Sequence, residues 1–79
     1  MPKVIIYTTP SCVYCKMAKE FFKEHAVAYE EINVAIDEKA QGEMIEKSGQ
    51  MGVPVIDIGG EIVIGYDKEM LIELLGIKK

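Results

Sequence analysis

Apolar and polar positions alternate along this chain of 79 residues in a pattern that predicts seven elements. The first is a near-continuous apolar run at residues 3–9 (KVIIYTT), which is typical of a central strand covered on both faces. Ser11 then offers a cap, and Ala18, Phe21 and Phe22 repeat at helical spacing among lysines and glutamates. This second pattern predicts an amphipathic helix that begins at a pair of cysteines.

The middle of the chain predicts a second strand and a second helix. Residues 27–34 (VAYEEINV) interleave apolar side chains with glutamates, as an edge strand does. Asp37 is suited to cap the helix that follows, and Ala40 and Met44 mark its buried face. Gly49 can adopt the left-handed conformation that ends a helix.

The last third of the chain predicts a hairpin and a third helix. Residues 55–64 (VIDIGGEIVI) form two short apolar runs around Gly59-Gly60, a signal for a tight antiparallel turn. We expect Asp57, near the hairpin end, to be solvated. Asp67 is the predicted cap of the last helix and Gly76 its end, and the apolar face of this helix contains Met70, Leu71, Leu74 and Leu75.

The element order β-α-β-α-β-β-α limits the topology. A right-handed crossover makes the first two strands parallel, and the hairpin then joins the same sheet antiparallel to the first strand. We therefore expect an α/β fold with a four-stranded mixed sheet flanked by three helices, with helices on both faces. A chain of 79 residues has room for one compact domain, so residues 1–79 are expected to form a single unit.

The charge and hydropathy of the chain limit the kinds of partner that we expect it to bind. The net charge is −4, arginine is absent and the nine lysines are scattered, which argues against a nucleic-acid surface. No apolar run is long enough to span a bilayer, so we expect no membrane partner. Because the first residues show neither a basic leader nor a cleavage site, we expect a cytosolic protein.

Cys12 and Cys15 are the only cysteines, and they carry the candidate chemistry. A cysteine in the first turn of a helix meets unpaired N–H groups and the positive end of the helix dipole, which favour thiolate. We expect Cys12 to attack a disulfide. Cys15 lies one turn deeper on the same face, and we expect it to resolve the mixed disulfide. The predicted activity is dithiol-disulfide exchange.

Two cysteines at this spacing can also serve other purposes. A structural disulfide is disfavoured in a reducing cytosol. A zinc site within one chain lacks ligands, because His25 is the only histidine, and we expect no resident metal. A dimer that bridges a metal or an iron–sulfur cluster through two Cys12–Cys15 pairs supplies four thiolates and stays open as the alternative function.

Three motifs make the chain resemble the glutaredoxin and thioredoxin superfamily, and most closely the small glutaredoxin-like redoxins. They are CVYC at residues 12–15, GVP at 52–54 and GYD at 65–67. The resemblance spans nearly the whole chain. It implies the thioredoxin-like glutaredoxin fold, a monomer with no bound cofactor, protein disulfides as substrates, and re-reduction by a flavoprotein reductase or by glutathione.

The resemblance also implies binding residues. Pro54 is expected to be cis and Val53 to bind the main chain of a substrate. Tyr66 and Asp67 correspond to the turn that holds the γ-glutamyl end of glutathione, at a helix N-terminus suited to an anion. Tyr14, inside the dithiol motif, is a candidate for shaping a substrate groove.

The chain departs from the usual glutathione-binding pattern at several positions. Thr9 and Met51 stand where a lysine and an arginine are common in glutaredoxins, and Ile64 and Lys68 replace a glycine and an aspartate. These changes remove positive charge from the site. We therefore expect a flavoprotein similar to thioredoxin reductase to be the better electron donor.

Overall fold

A computed structural model describes residues 3–77 of the chain. The element order is the predicted β-α-β-α-β-β-α. The elements are β1 (Val4–Thr8), α1 (Val13–Glu24), β2 (Glu30–Asn33), α2 (Glu38–Ser48), β3 (Val55–Ile58), β4 (Glu61–Ile64) and α3 (Lys68–Leu75).

The four strands form one mixed sheet in the order β2-β1-β3-β4. β1 pairs parallel with β2 and antiparallel with β3, and β3 pairs antiparallel with β4. β1 is therefore a central strand and β2 an edge strand, as the sequence predicts. Tyr7 lies opposite Ile32 on one side and Val55 on the other.

The core has two layers, one on each face of the sheet. Successive residues of a strand point to opposite faces, so Ile6 and Tyr7 of β1 enter different layers. The larger layer packs against α1 and α3 and contains Phe22 and Leu71, and the smaller layer packs against α2 and contains Met44. The expectation of helices on both faces is confirmed.

The predicted caps position the last two helices. Asp37 accepts a hydrogen bond from the Ala40 N–H at 3.0 Å at the start of α2. Asp67 accepts one from the Met70 N–H at 3.2 Å at the start of α3. Both helices end at a glycine in the left-handed conformation, Gly49 with φ 73° and Gly76 with φ 68°.

Met70 does not belong to the buried face of α3. Its side chain is exposed, whereas Leu71 is completely buried and Leu74 and Leu75 are partly buried. The helix has only eight residues, and it contacts the larger core layer mainly through Leu71. The expectation for Met70 was wrong because helical spacing alone does not show how wide the contact is.

The expectation that Asp57 is solvated was wrong. Its side chain is 13% exposed and accepts a hydrogen bond from Lys47 Nζ at 2.9 Å. The same ammonium donates to the hydroxyl of the buried Tyr7 at 2.8 Å. Asp57 lies in β3 near α2, so Lys47 of that helix covers it. Burial alone raises the pKa of Asp57, but hydrogen bonds from Lys47 and Gly60 outweigh it and hold the pKa below its usual value.

Within residues 3–77, no helix combines the length and the hydropathy needed to cross a bilayer.

Candidate active site

Cys12 itself caps helix α1, a role that the sequence assigned to Ser11. The Cys12 backbone is extended (φ −86°, ψ 111°), and its Sγ accepts a hydrogen bond from the Cys15 N–H at 3.1 Å. A sulfur atom can take this capping position because the first backbone N–H groups of a helix have no partner within the helix. The partly exposed Sγ is therefore held where negative charge is favoured.

Cys15 has the opposite surroundings. It is 1% exposed and lies one turn into α1, against the core. Burial, together with the neighbouring Cys12 sulfur, raises the pKa of the Cys15 thiol to about 12, although the Thr9 backbone and Lys19 act in the other direction. The two thiols thus differ in their access to solvent.

The five predicted binding residues line one surface groove of about 510 Å³. Val53 and Pro54 lie just before β3, Tyr66 and Asp67 just before α3, and Tyr14 joins them from α1, two residues after Cys12. The Val53–Pro54 peptide bond is cis, as the resemblance implied. The fold therefore brings together residues from three separate parts of the chain.

Two of the groove residues also have structural contacts. The Tyr66 ring packs edge-to-face against Phe21, with centroids 6.3 Å apart, and the Asp67 carboxylate caps α3. Tyr14 differs from them because it is 61% exposed. Its aromatic face is open to a molecule that enters the groove.

A group of polar side chains, which the sequence pattern does not bring together, joins α1 to the sheet near the dithiol. Glu31 Oε2 accepts hydrogen bonds from Lys19 Nζ at 2.8 Å and from the hydroxyl of the buried Thr8 at 3.0 Å. These bonds lower the pKa of Glu31, chiefly through Lys19, and raise the pKa of Lys19. We name Thr8, Lys19 and Glu31 the polar triad.

The register of the sheet, had it been known, would have predicted that the residues of the polar triad lie together. Glu31 pairs with Ile6, whose side chain enters the layer under α1. Thr8 lies two residues after Ile6 and so points to the same face. Lys19 is four residues after Cys15 and so shares its side of α1. The parallel pairing was predicted, but its register was not.

The surroundings of the dithiol favour exchange over cluster binding. Among residues 3–77, no three histidine, cysteine, aspartate or glutamate side chains converge on a point that could hold a metal ion. A cluster held by two Cys12–Cys15 pairs needs all four sulfur atoms at the surface that the two chains share, and Cys15 is buried. The partly exposed Cys12 beside a buried Cys15 instead suits two successive exchanges.

Comparison with known proteins agrees with this geometry. The glutaredoxin family profile matches residues 4–63. The chain is 43% identical over 70 residues to an uncharacterized glutaredoxin-like 8.6 kDa protein in the rubredoxin operon of Clostridium pasteurianum, covering 89% of this chain and 93% of that one. It is also 45% identical over 56 residues to the glutaredoxin-like protein NrdH of Lactococcus lactis, covering 67% of this chain and 72% of that one.

A solved structure gives the same result for the fold. The crystal structure of the thioredoxin-like protein BC3987 mutant T8A superimposes with a TM-score of 0.91 at 37% identity, covering 99% of this chain and all of that one. The chain therefore has the thioredoxin-like fold and belongs to the glutaredoxin family. Membership of this family supports thiol-disulfide oxidoreductase activity in general terms.

Proposed function

We propose that this protein reduces disulfides in other proteins, with Cys12 as the attacking thiol and Cys15 as the resolving thiol. One observation carries the proposal: the partly exposed Sγ of Cys12 caps a helix and accepts the Cys15 N–H at 3.1 Å, directly beside a buried second thiol. A thiolate at a helix N-terminus is the nucleophile of thiol-disulfide exchange.

The reaction proceeds in two exchanges. The Cys12 thiolate attacks one sulfur of the substrate disulfide, and the other substrate sulfur leaves as a thiolate that takes up a proton. Cys15 then loses its proton and attacks Cys12 Sγ, which releases the second substrate thiol and forms a Cys12–Cys15 disulfide. The substrate gains two electrons and two protons, and the dithiol loses them.

The groove that contains Tyr14 of the dithiol motif is the proposed binding site for the substrate chain. Backbone groups of Val53, before Pro54, are suited to pair with an extended segment, as in other cases of strand addition. Tyr14 supplies an exposed aromatic surface, and Tyr66 and Asp67 also line the groove. These roles are proposals for residues that the fold brings together.

The oxidised protein must be re-reduced, and we propose a flavoprotein reductase similar to thioredoxin reductase as the main donor. Glutathione is the secondary donor, because Thr9 and Met51 provide no cation for its carboxylates. A reversible dithiol of this kind operates in a reducing compartment, and we propose the cytosol.

The test is insulin reduction coupled to NADPH consumption, with either a flavoprotein reductase or the glutathione system as donor. Cys12→Ser should abolish turnover. Cys15→Ser should stop turnover too, but should accumulate a mixed disulfide through Cys12 that mass spectrometry detects. Failure of both donor systems to sustain turnover by the native protein would refute the proposed function, and a mixed disulfide through Cys15 would reverse the assignment.

A further inference from the structure

The buried position of Cys15 creates a difficulty for the second exchange. A thiol must ionise before it can attack, and Cys15 is 1% exposed with a pKa of about 12. In the mixed disulfide Cys12 carries no charge, but burial, the main cause of the raised pKa, remains, so the thiolate fraction of Cys15 at neutral pH is still small. Any fixed positive charge nearby increases that fraction and hence the rate at which the mixed disulfide is resolved.

The polar triad places such a charge beside Cys15. Lys19 lies four residues after Cys15 on α1, the spacing that brings two side chains together on one helix face. Its Nζ is fixed by Glu31 at 2.8 Å, and Glu31 is in turn fixed by the hydroxyl of Thr8, which is 2% exposed. A flexible lysine is thus anchored from α1 to the sheet, next to the dithiol.

Several charged groups surround Cys15 and Lys19, and together they leave Lys19 able to favour the ionisation of Cys15. On α1, Cys12 opposes the ionisation of Cys15 and Lys19 supports it. From β2 and the residue before it, Glu31 and Tyr29 face Lys19, and Lys23 of α1 faces Glu31. The charge of Lys19 favours the ionisation of Cys15, and the Glu31 carboxylate has no comparable opposing effect on Cys15.

From this geometry we propose that Lys19 is an electrostatic supporting residue for the resolving step, positioned by Glu31 and Thr8 so that its ammonium stabilises the Cys15 thiolate. The inference rests on the proposed function, because it assigns Lys19 to the second exchange. No group other than the substrate disulfide is needed. The Cys15 proton goes to solvent, the new bond joins Cys15 to Cys12, and the substrate sulfur leaves as thiolate.

The experiment isolates the second exchange. Reduced protein is loaded with one 5-thio-2-nitrobenzoate group on Cys12, and release of the coloured thiolate by Cys15 is followed by stopped flow from pH 6 to pH 9. Lys19→Met should release the probe about three- to tenfold more slowly at neutral pH, with its pH profile displaced to higher pH, since a nearby cation commonly lowers a thiol pKa by about one unit. Lys19→Arg should restore most of the rate.

Controls separate charge from structure. Lys39→Met removes the same charge from the exposed surface of α2 and should leave the pH profile unchanged. Circular dichroism verifies folding of each variant. As a second measurement, alkylation of Cys15 is compared between Cys12→Ser and Cys12→Ser/Lys19→Met proteins, and the second should react more slowly at each pH by a similar factor.

The outcomes distinguish the two proposals. If the native protein does not release the probe, Cys15 is not the resolving thiol and the proposed function fails. If release is normal and the Lys19→Met profile superimposes on that of the native protein, the function stands and the role of Lys19 is overturned. An effect that Lys19→Arg does not rescue, or that Lys39→Met reproduces, also overturns it.

Discussion

At the scale of single residues, position within one turn of helix separates two chemically identical side chains. Cys12 is outside the first turn and uses its sulfur as a cap, while Cys15 is inside and covered. Exposure and hydrogen bonding, rather than residue type, therefore decide which thiol meets a substrate. The order of the two exchanges follows from this difference.

This difference predicts the order of alkylation. Iodoacetamide at pH 7 should modify Cys12 first, because Cys12 is accessible and the pKa of Cys15 is raised to about 12 by burial. In Cys12→Ser protein, the reaction of Cys15 should be slow and should accelerate steadily as the pH rises toward 10. Peptide mass spectrometry measures both rates, and protein unfolded in urea, where burial is lost, serves as the control. Faster labelling of Cys15 in folded protein would contradict the assignment.

A second residue-scale prediction concerns the bond between Asp57 and Lys47. Asp57→Asn should lower the free energy of unfolding at pH 7 by about 1.5–3 kcal/mol, the usual range for a hydrogen bond to a charged group. The folded pKa of Asp57 is depressed, so the stabilisation is present above its unfolded value of about 3.9 and is lost as pH falls through the lower folded value.

Urea denaturation of reduced protein measures this effect. The stability difference between native and Asp57→Asn protein should be full at pH 7 and should shrink below about pH 4. Glu46→Gln, at an exposed position of α2, should change stability little at either pH. A difference that stays constant down to pH 2 would show that the effect is one of shape rather than charge.

At the scale of elements, the start of α3 combines a structural role with a proposed binding role. Asp67 caps the helix through the Met70 N–H and also lines the groove. Asp67→Ala should cost about 1 kcal/mol of stability, whereas Asp67→Ser should keep most of the cap while it removes the charge. If Asp67 also holds a ligand, Asp67→Ser should raise the KM for glutathione without a matching loss of stability. Parallel melting curves and coupled kinetics measure the two roles separately.

The elements themselves were largely predictable because each has a local signal. The β-branched run of β1, the capping Asp37 and the glycine pair of the hairpin each indicate structure through a few neighbouring residues. The contacts of Lys47 with Tyr7 and Asp57 were not predictable, since they join α2 to two strands distant in the chain. Their residue types alone suggest solvation.

Some residues of the candidate site could likewise be predicted from local sequence patterns, whereas others could not. The dithiol and its helix are a local pattern, so Cys12 and Cys15 were found from spacing. Val53, Pro54 and Tyr66 required the family resemblance, because only the closed fold brings them to one groove. The link from Lys19 to Glu31 depends on the exact register of β2 against β1, which the sequence pattern leaves undetermined.

At the scale of the whole molecule, charge bears on the choice of electron donor. The chain carries net charge −4, and under the proposed function glutathione would bring two carboxylates to a protein in which Thr9 and the exposed Met51 supply no cation. A hydrogen bond between charged groups is commonly worth about 1.5–3 kcal/mol, so each missing contact weakens binding by about ten- to a hundredfold. A protein donor depends instead on a larger surface around the dithiol.

Two coupled assays run side by side test this choice. Millimolar glutathione with glutathione reductase should sustain slow turnover, whereas a flavoprotein similar to thioredoxin reductase should sustain fast turnover at micromolar concentrations of this protein. Restoring the cations in Thr9→Lys/Met51→Arg protein should increase the glutathione-dependent rate by about tenfold or more, because it supplies partners for both carboxylates. The matched control, Thr9→Gln/Met51→Gln, changes the same positions without charge and should give no such increase. If native protein already turns over faster with glutathione, the cations at these two positions are dispensable and glutathione is the donor.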